Sequence, residues 1–430
     1  MLALASVAGL GWWWQAAQQA EPPPPAPQPV TAVVAPDVLV PPVPAPLRQP
    51  PTRPAPAAPQ TDAADCVASL TPMVRLRTAA AAASAAGHDG VLRPLLARIE
   101  TEDERAKDAG AALHAAAVER LQASADPATR AVGLQVAAMQ PPLVRASCRR
   151  DECLDEVRAG AQQAQVRLAE LATLALGSHD GDVYARAWDA CQRAGPLAAD
   201  APACSQLSAQ RWAQLAPDTA APWLTLAAQA RAAGDAGGEL NAIHRAALAR
   251  RWHRPAGGLL RALLAQSAPS PSDPMARWHA DWHALSADLQ VAVHPMATLL
   301  QYCTAPLDTN RQQVCNQLVG RMLAAPEDLL QLTLAIHLGQ RLGWPAEQLA
   351  MHRHERDALR AAAASQARQW VAPDNGDAWK PAAMCAGLAA MRQHLARWAD
   401  GGELAALRAL LPVAPAPASA AAAAARSEEH

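Results

Sequence analysis

The chain has 430 residues and a formal net charge of −2, it is rich in alanine and proline, and it contains no phenylalanine and two tyrosines. Alanine favours helix because it loses no side-chain entropy there, whereas a β-sandwich or barrel needs many aromatic and β-branched residues. The balanced charge gives no basic surface for nucleic acid. We therefore expect an all-α protein that does not bind nucleic acid.

The chain begins with the apolar segment MLALASVAGLGWWW. These residues are too few for a free-standing transmembrane helix, which needs about 20, but continuing to residue 20 supplies that length. Trp12, Trp13 and Trp14 resemble an interfacial aromatic belt. We predict that residues 1–20 are a signal anchor in the inner membrane. A cleaved signal peptide and a frayed apolar terminus of a cytosolic protein are the alternatives, because no basic residue precedes the apolar segment.

Residues 21–61 form a Pro-rich segment, and 16 of the 38 prolines lie between residues 22 and 60. At about 3.1 Å per residue, such a segment reaches on the order of 120 Å. We predict a disordered linker that carries the following domain away from the membrane, with a ligand for an aromatic groove as the alternative. Residues 412–430 form a low-complexity tail without a periodic apolar face.

Between these segments, residues 62–411 carry repeated helix signals, and we predict a helical-repeat domain there, with an alternative subdivision near residue 177. The spacing of apolar residues in the fourth helix predicts a buried stripe of Leu154, Val157, Leu168, Leu171 and Ala175. The predicted helices span 63–86, 90–123, 127–139, 147–176, 182–194, 202–215, 220–233, 237–251, 256–267, 275–303 with a break at 294–295, 310–324, 327–342, 346–370, 378–399 and 403–411.

Short connections join these helices into hairpins of roughly 30–40 residues, which is the size of an α-solenoid unit. Residues 215–248, LAPDTAAPWLTLAAQARAAGDAGGELNAIHRAAL, resemble a tetratricopeptide repeat. The positions that match the repeat pattern are Trp223, Leu226, Ala227, Gly234, Asp235, Ile243 and Ala246. Two positions depart from it, since Ala230 replaces the usual Tyr and Glu239 the usual Ala. Partial echoes occur at 372–379 and 325–328. The resemblance implies an α-solenoid whose first helices line a concave face for a peptide or a partner domain.

Eight cysteines occur without a C-x-x-C pair, which disfavours a zinc ribbon. Their even number and close spacing indicate disulfides in an oxidising compartment, with buried thiols as the alternative. We predict the pairs Cys191–Cys204, Cys303–Cys315 and Cys148–Cys153. These pairs leave Cys66 and Cys385 as a pair by elimination only.

His279 and His283 lie four residues apart, so that they share one helix face and form a candidate metal pair. A third ligand has to come from elsewhere, with Asp281, His294 and the pair His352 and His354 as candidates. Ordinary half-buried histidines are the alternative.

No signature of a serine hydrolase, a dinucleotide enzyme or a P-loop NTPase is present. We therefore expect no cofactor and no catalytic residues. The sequence favours a periplasmic protein-interaction scaffold, anchored to the inner membrane, with a protein or peptide partner in the cell envelope. A metal-binding or enzymatic helical protein that uses the His279 and His283 face, and a purely structural spacer, are the alternatives.

Overall fold

The computed structural model describes residues 63–139, 150–195, 198, 201–252, 257–266, 273–290, 296–371 and 380–411. All of them belong to one compact unit, Ala57–His430. The predicted anchor, the Pro-rich linker, the C-terminal tail and the repeat echo at 372–379 lie outside the described residues.

The described residues form sixteen helices and no strand, which confirms the all-α class. A single parallel bridge joins Thr219 and Arg251. The helices are α1 Ala63–Ala85, α2 Asp89–Gln122, α3 Pro127–Met139, α4 Arg150–Leu176, α5 Gly181–Arg193, α6 Pro202–Ser205, α7 Ala209–Leu215, α8 Ala220–Ala232, α9 Ala236–Leu248, α10 Gly258–Ala265, α11 Pro274–Gln290, α12 Met296–Thr304, α13 Thr309–Ala324, α14 Leu329–Arg341, α15 Ala346–Val371 and α16 Pro381–Arg408.

Short polar side chains start many of these helices. Asp126 accepts a hydrogen bond from the backbone N–H of Thr129 at the start of α3, which is the position of an N-cap residue. At α5 the capping carboxylate belongs to Asp180, which accepts a hydrogen bond from the backbone N–H of Asp182. Its position follows from the chain entering α5 in an extended conformation at residue 180.

In two places the predicted division into helices differs from the structure. The segment 202–215 is two short helices, because Ser208 is extended and caps a new helix through the N–H of Arg211. The last two predicted helices are one element, α16, which kinks at Gly402, where φ is +79°. That left-handed conformation is accessible to glycine at little cost.

Many neighbouring helices pack on each other in chain order, as in the pairs α1–α2, α3–α4, α8–α9, α13–α14 and α14–α15. Other contacts cross the sequence. Helix α2 packs on α11, and α16 packs on α1, α10 and α11. An open array, in which each hairpin contacts only its neighbours, therefore does not describe these helices.

The apolar residues form three adjacent cores. One lies among α8, α9 and α12–α16, the second among α2, α3, α10, α11 and α16, and the third among α3–α8. In α4, Leu168, Leu171 and Ala175 are buried, as predicted, but Leu154 and Val157 are exposed. The prediction fails there because only the second half of the stripe meets a neighbouring core.

No described helix combines the length and the apolar character that a membrane span requires.

The carboxylate of Asp288 joins three helices. It accepts hydrogen bonds from the N–H groups of Gly257 and Leu260 at the start of α10, and from the indole of Trp398 in α16. Gly257 has φ of +86°, and an added Cβ would collide with the carbonyl oxygen of Trp398 and lie 2.9 Å from the Cα of Ala399. The junction of α10, α11 and α16 therefore requires glycine at this position.

We expect Gly257→Ala to lower the free energy of unfolding by about 3 kcal/mol or more, because backbone strain and a steric clash add. Gly343→Ala is the matched control. Its φ is +79° but nothing lies within 4 Å of an added Cβ, so it should cost only about 1–2 kcal/mol. Urea unfolding followed by circular dichroism measures both. Equal losses would show that the approach of α16 does not constrain residue 257.

Candidate functional site

Three disulfides link cysteines of the described residues. The predicted pairs Cys191–Cys204 and Cys303–Cys315 are confirmed, with Cα–Cα distances of 5.7 and 5.8 Å. Each joins the end of one helix to the next helical segment. Cys148 lies outside the described residues, and the pair Cys148–Cys153 stays a prediction.

The third disulfide joins Cys66 of α1 to Cys385 of α16, across a sequence separation of 319 residues. The sequence gives this pair by elimination only, because neither residue has a cysteine nearby. In the structure α16 packs on α1, which brings the two Cα atoms to 6.0 Å. The bond therefore fixes the first described helix, which directly follows the Pro-rich segment, to the last one.

The segment that resembles a tetratricopeptide repeat forms a hairpin of α8 and α9. Gly234 makes the turn with φ of +73°, and Asp235 caps α9 through the N–H of Gly238. Ala227, Ile243 and Ala246 are buried, as predicted.

Two predicted core positions of the hairpin, Trp223 and Leu226, are only half-buried, whereas the neighbouring Leu224 is fully buried. The indole N–H of Trp223 donates to the carbonyl of Pro217, and the guanidinium of Arg245 lies over its ring. Trp223 thus ties the two helices of the hairpin to the loop that precedes them.

Backbone hydrogen bonds close this hairpin at its open end. The N–H of Ala220 donates to the carbonyl of Arg251, and the N–H of Ala221 to that of Trp252. The first turn of α8 is therefore capped by the segment that leaves α9.

Glu239, which replaces the usual alanine, is buried and ion-paired. Its carboxylate pairs with Arg231 of α8, and Arg311 of α13 lies 3.8 Å away. The guanidinium of Arg311 also lies 4.9 Å from the ring centre of the buried Tyr302. The departure from the repeat pattern thus places an ion-pair network between this hairpin and the next helices.

His279 and His283 lie on the face of α11 that meets α2. The ring of His283 lies 5.6 Å from that of His114 in α2, and the ring of His279 stands edge-on to Trp278. An added Cβ at Gly110 of α2 would collide with the Cβ of His279. Both histidines therefore contribute to the packing of two helices.

Among the described residues, no group of three or more His, Cys, Asp and Glu side chains converges as a metal site would require. Asp281, a predicted third ligand, is buried on another part of α11 and faces Arg392 of α16 at 3.3 Å. His294 lies outside the described residues, and His352 and His354 belong to α15. The structure thus does not bring the predicted ligands together.

Burial separates the pKa values of the groups on α11. It lowers the pKa of His279 to about 4, and it also lowers that of His283. It raises the pKa of Asp281, against the opposing effect of Arg392 and Arg277. The helix therefore carries neutral imidazoles towards α2 and a buried carboxyl group towards α16. The sequence predicts Asp281 only as a metal ligand, because Arg392 lies 111 positions further along the chain.

Comparisons with known proteins find no family model, no curated protein and no solved structure that matches the chain.

We expect disruption of the Cys66–Cys385 bond to cost more stability than disruption of Cys303–Cys315, because the first closes a far longer loop. Chain entropy gives about 3 kcal/mol for a loop of 15 residues and about 4.7 kcal/mol for one of 100. Urea unfolding of Cys66→Ala/Cys385→Ala and of Cys303→Ala/Cys315→Ala, with the other bonds intact, measures both. The opposite order would contradict the assignment of α1 to the cooperative fold.

Acidification should destabilise the fold through His279. Its pKa is about 4 in the folded protein and 6.5 ordinarily, so that between these values protons bind the unfolded chain only. The contribution of the neutral His279 to the stability of the fold is complete above pH 6.5 and is lost as the pH falls through 4. The melting temperature of His279→Gln should therefore fall less between pH 7 and pH 5 than that of the wild type.

The matched control for this pH series is His354→Gln, at an exposed position of α15. The comparison between variants isolates the effect of His279, because the raised pKa of Asp281 makes the folded protein more stable as the pH falls. If both histidine substitutions changed the pH dependence equally, burial of His279 would not be its cause.

Proposed function

We propose that the protein is a protein-interaction scaffold of the bacterial cell envelope. In this proposal residues 1–20 anchor it in the inner membrane, residues 21–61 span the space above the membrane, and the disulfide-linked helical domain binds a protein or peptide in the periplasm.

The observation that carries this proposal is the set of three disulfides. Disulfides persist in secreted and periplasmic proteins and are rare in the cytosol, where thiols are kept reduced. In the part of the chain that the structure describes, these bonds engage six cysteines. This use of cysteine is typical of a protein on the outer side of the inner membrane. An apolar N-terminal segment that serves as a signal anchor would place the domain there.

The helical architecture supports the scaffold part. We propose that α8 and α9 are a degenerate tetratricopeptide-like hairpin, and that the chain-order packing around it is solenoid-like over part of the domain. The buried positions Ala227, Ile243 and Ala246 support this assignment. Stacked hairpins commonly present extended surfaces to partner proteins.

The test uses the full chain in its own cells, with a photocrosslinking residue at exposed apolar positions. Val166 of α4 is 63% exposed and Met351 of α15 is 70% exposed. We expect a discrete crosslinked species from at least one position. We also expect at most two thiols that react with maleimide before reduction, because six cysteines are bonded.

The control is the same chain without residues 1–20. It should remain in the cytosol with reactive thiols and should lose the crosslinked species. A full-length chain in which all cysteines react before reduction would refute the location, and the absence of a crosslink at every position would refute the scaffold role.

A further inference from the structure

A cavity of about 110 Å³ lies between α11, α15 and α16. A buried water needs only a small fraction of this space, so the cavity has room for a molecule of several heavy atoms. It lies at the bend of α16, since residues on both sides of the kink at Gly402 face it. The side chains that line it include those of Leu285, Gln366, His394, Trp398, Glu403 and Leu407.

Glu403 supplies the acidic group of this cavity. One of its carboxylate oxygens accepts a hydrogen bond of 2.9 Å from the backbone N–H of Leu329 at the start of α14. The nearby carboxylate of Asp328 carries a charge of the same sign. Burial, and to a smaller extent this charge, raises the pKa of Glu403 to about 7. Among the ion pairs of the described residues, none gives Glu403 a basic partner. A carboxylate in such a position would gain stability from a cation in the cavity.

The remaining walls suit the carbon atoms of a ligand. Leu285 of α11 and Leu407 of α16 are buried and apolar. The ring of Trp398 is held in place because its indole N–H donates to Asp288. An aromatic face attracts an organic cation through its π electrons, most strongly where water is excluded.

Among the described residues that line the cavity, His394 is the only one whose side chain can carry a positive charge. The imidazole of His394 is buried, and burial together with the exposed Arg397 lowers its pKa to about 4, so that it is neutral at physiological pH. Ala363 and Gln366 on the α15 side are half-buried, which leaves the cavity open to the surface there. The charge of the walls therefore favours a positive ligand, and their composition favours one that carries apolar groups.

We propose that this cavity binds a small organic cation, an alkylammonium or methylated ammonium ion, whose charge pairs with Glu403 and whose carbon atoms lie against Trp398, Leu285 and Leu407. This site is independent of the scaffold function proposed above, because it requires no protein partner.

The experiment titrates the oxidised full chain at pH 8 with tetramethylammonium and with n-butylammonium, followed by calorimetry and by the melting temperature. Neutral tert-butanol and potassium chloride at equal concentration are the comparison ligands. We expect saturable binding of an organic cation, with a dissociation constant of roughly micromolar to millimolar size, as suits so few atoms. Binding should raise the melting temperature.

Glu403→Gln should weaken this binding at least tenfold, while its amide oxygen can still accept from Leu329. Glu347→Gln, at an exposed position of α15, is the matched control and should bind as the wild type does. Should Glu403→Gln fail to fold, Ala363→Phe keeps the charge and fills the cavity, and it should abolish binding.

Three results would overturn the proposal. Equal binding of tert-butanol would show an apolar cavity without charge recognition, and equal binding of potassium would show an inorganic cation site. The absence of saturable binding by either ammonium ion would show that the cavity does not recognise an organic cation.

Discussion

Helices α2 and α11 approach so closely that a side-chain carbon at Gly110 would collide with the Cβ of His279. This approach brings residues near position 110 against residues near position 280, and much of the described fold depends on it. Once α11 lies on α2, α10 and α16 complete the same core, and α1 meets α16. The Cys66–Cys385 bond links α1 and α16 where these two helices are in contact.

The packing of α11 against α2 and α16 determines where charged groups are buried. Asp281 lies on α11 where α16 covers it, so that its partner Arg392 comes from the far end of the chain. Asp288, two turns later, has the N-terminal N–H groups of α10 and the indole of Trp398 as partners. Buried carboxylates without such partners would cost several kcal/mol each. The apolar core depends on α16 packing at this position, and so do the buried polar groups of α11.

The sequence predicts the helices well because helix signals are local. Caps act within a few residues, as Asp126 does through the N–H of Thr129, and so do changes of helix direction such as the kink at Gly402. The prediction fails for Leu154 and Val157, which are exposed although they continue a buried stripe. Alanine-rich helices have similar small side chains on all faces, so their pattern does not reveal which neighbour covers which turn.

The same limit applies to the sites. Close cysteine pairs were predictable because a short loop restricts the choice of partner, whereas Cys66 and Cys385 have no local signal. His279 and His283 share a helix face, as predicted, but the spacing could not show that α2 covers that face. Glu403 and His394 had no signal at all, because each is a single polar residue in an otherwise ordinary helix and gains its surroundings from α11, α14 and α15.

The cavity at the bend of α16 is held open by the contacts that also hold the fold. Asp288 fixes the indole of Trp398, and the N–H of Leu329 fixes the carboxyl group of Glu403. Arg261 of α10 donates to the carbonyl of Ala399, just before the kink. Both groups that would recognise a cation are therefore positioned before any ligand arrives, and a ligand would bear little cost for ordering them. Helices α14, α10 and α11 each contribute one of these contacts. The shape of the cavity therefore depends on the packing of α11 against α2, which positions these helices.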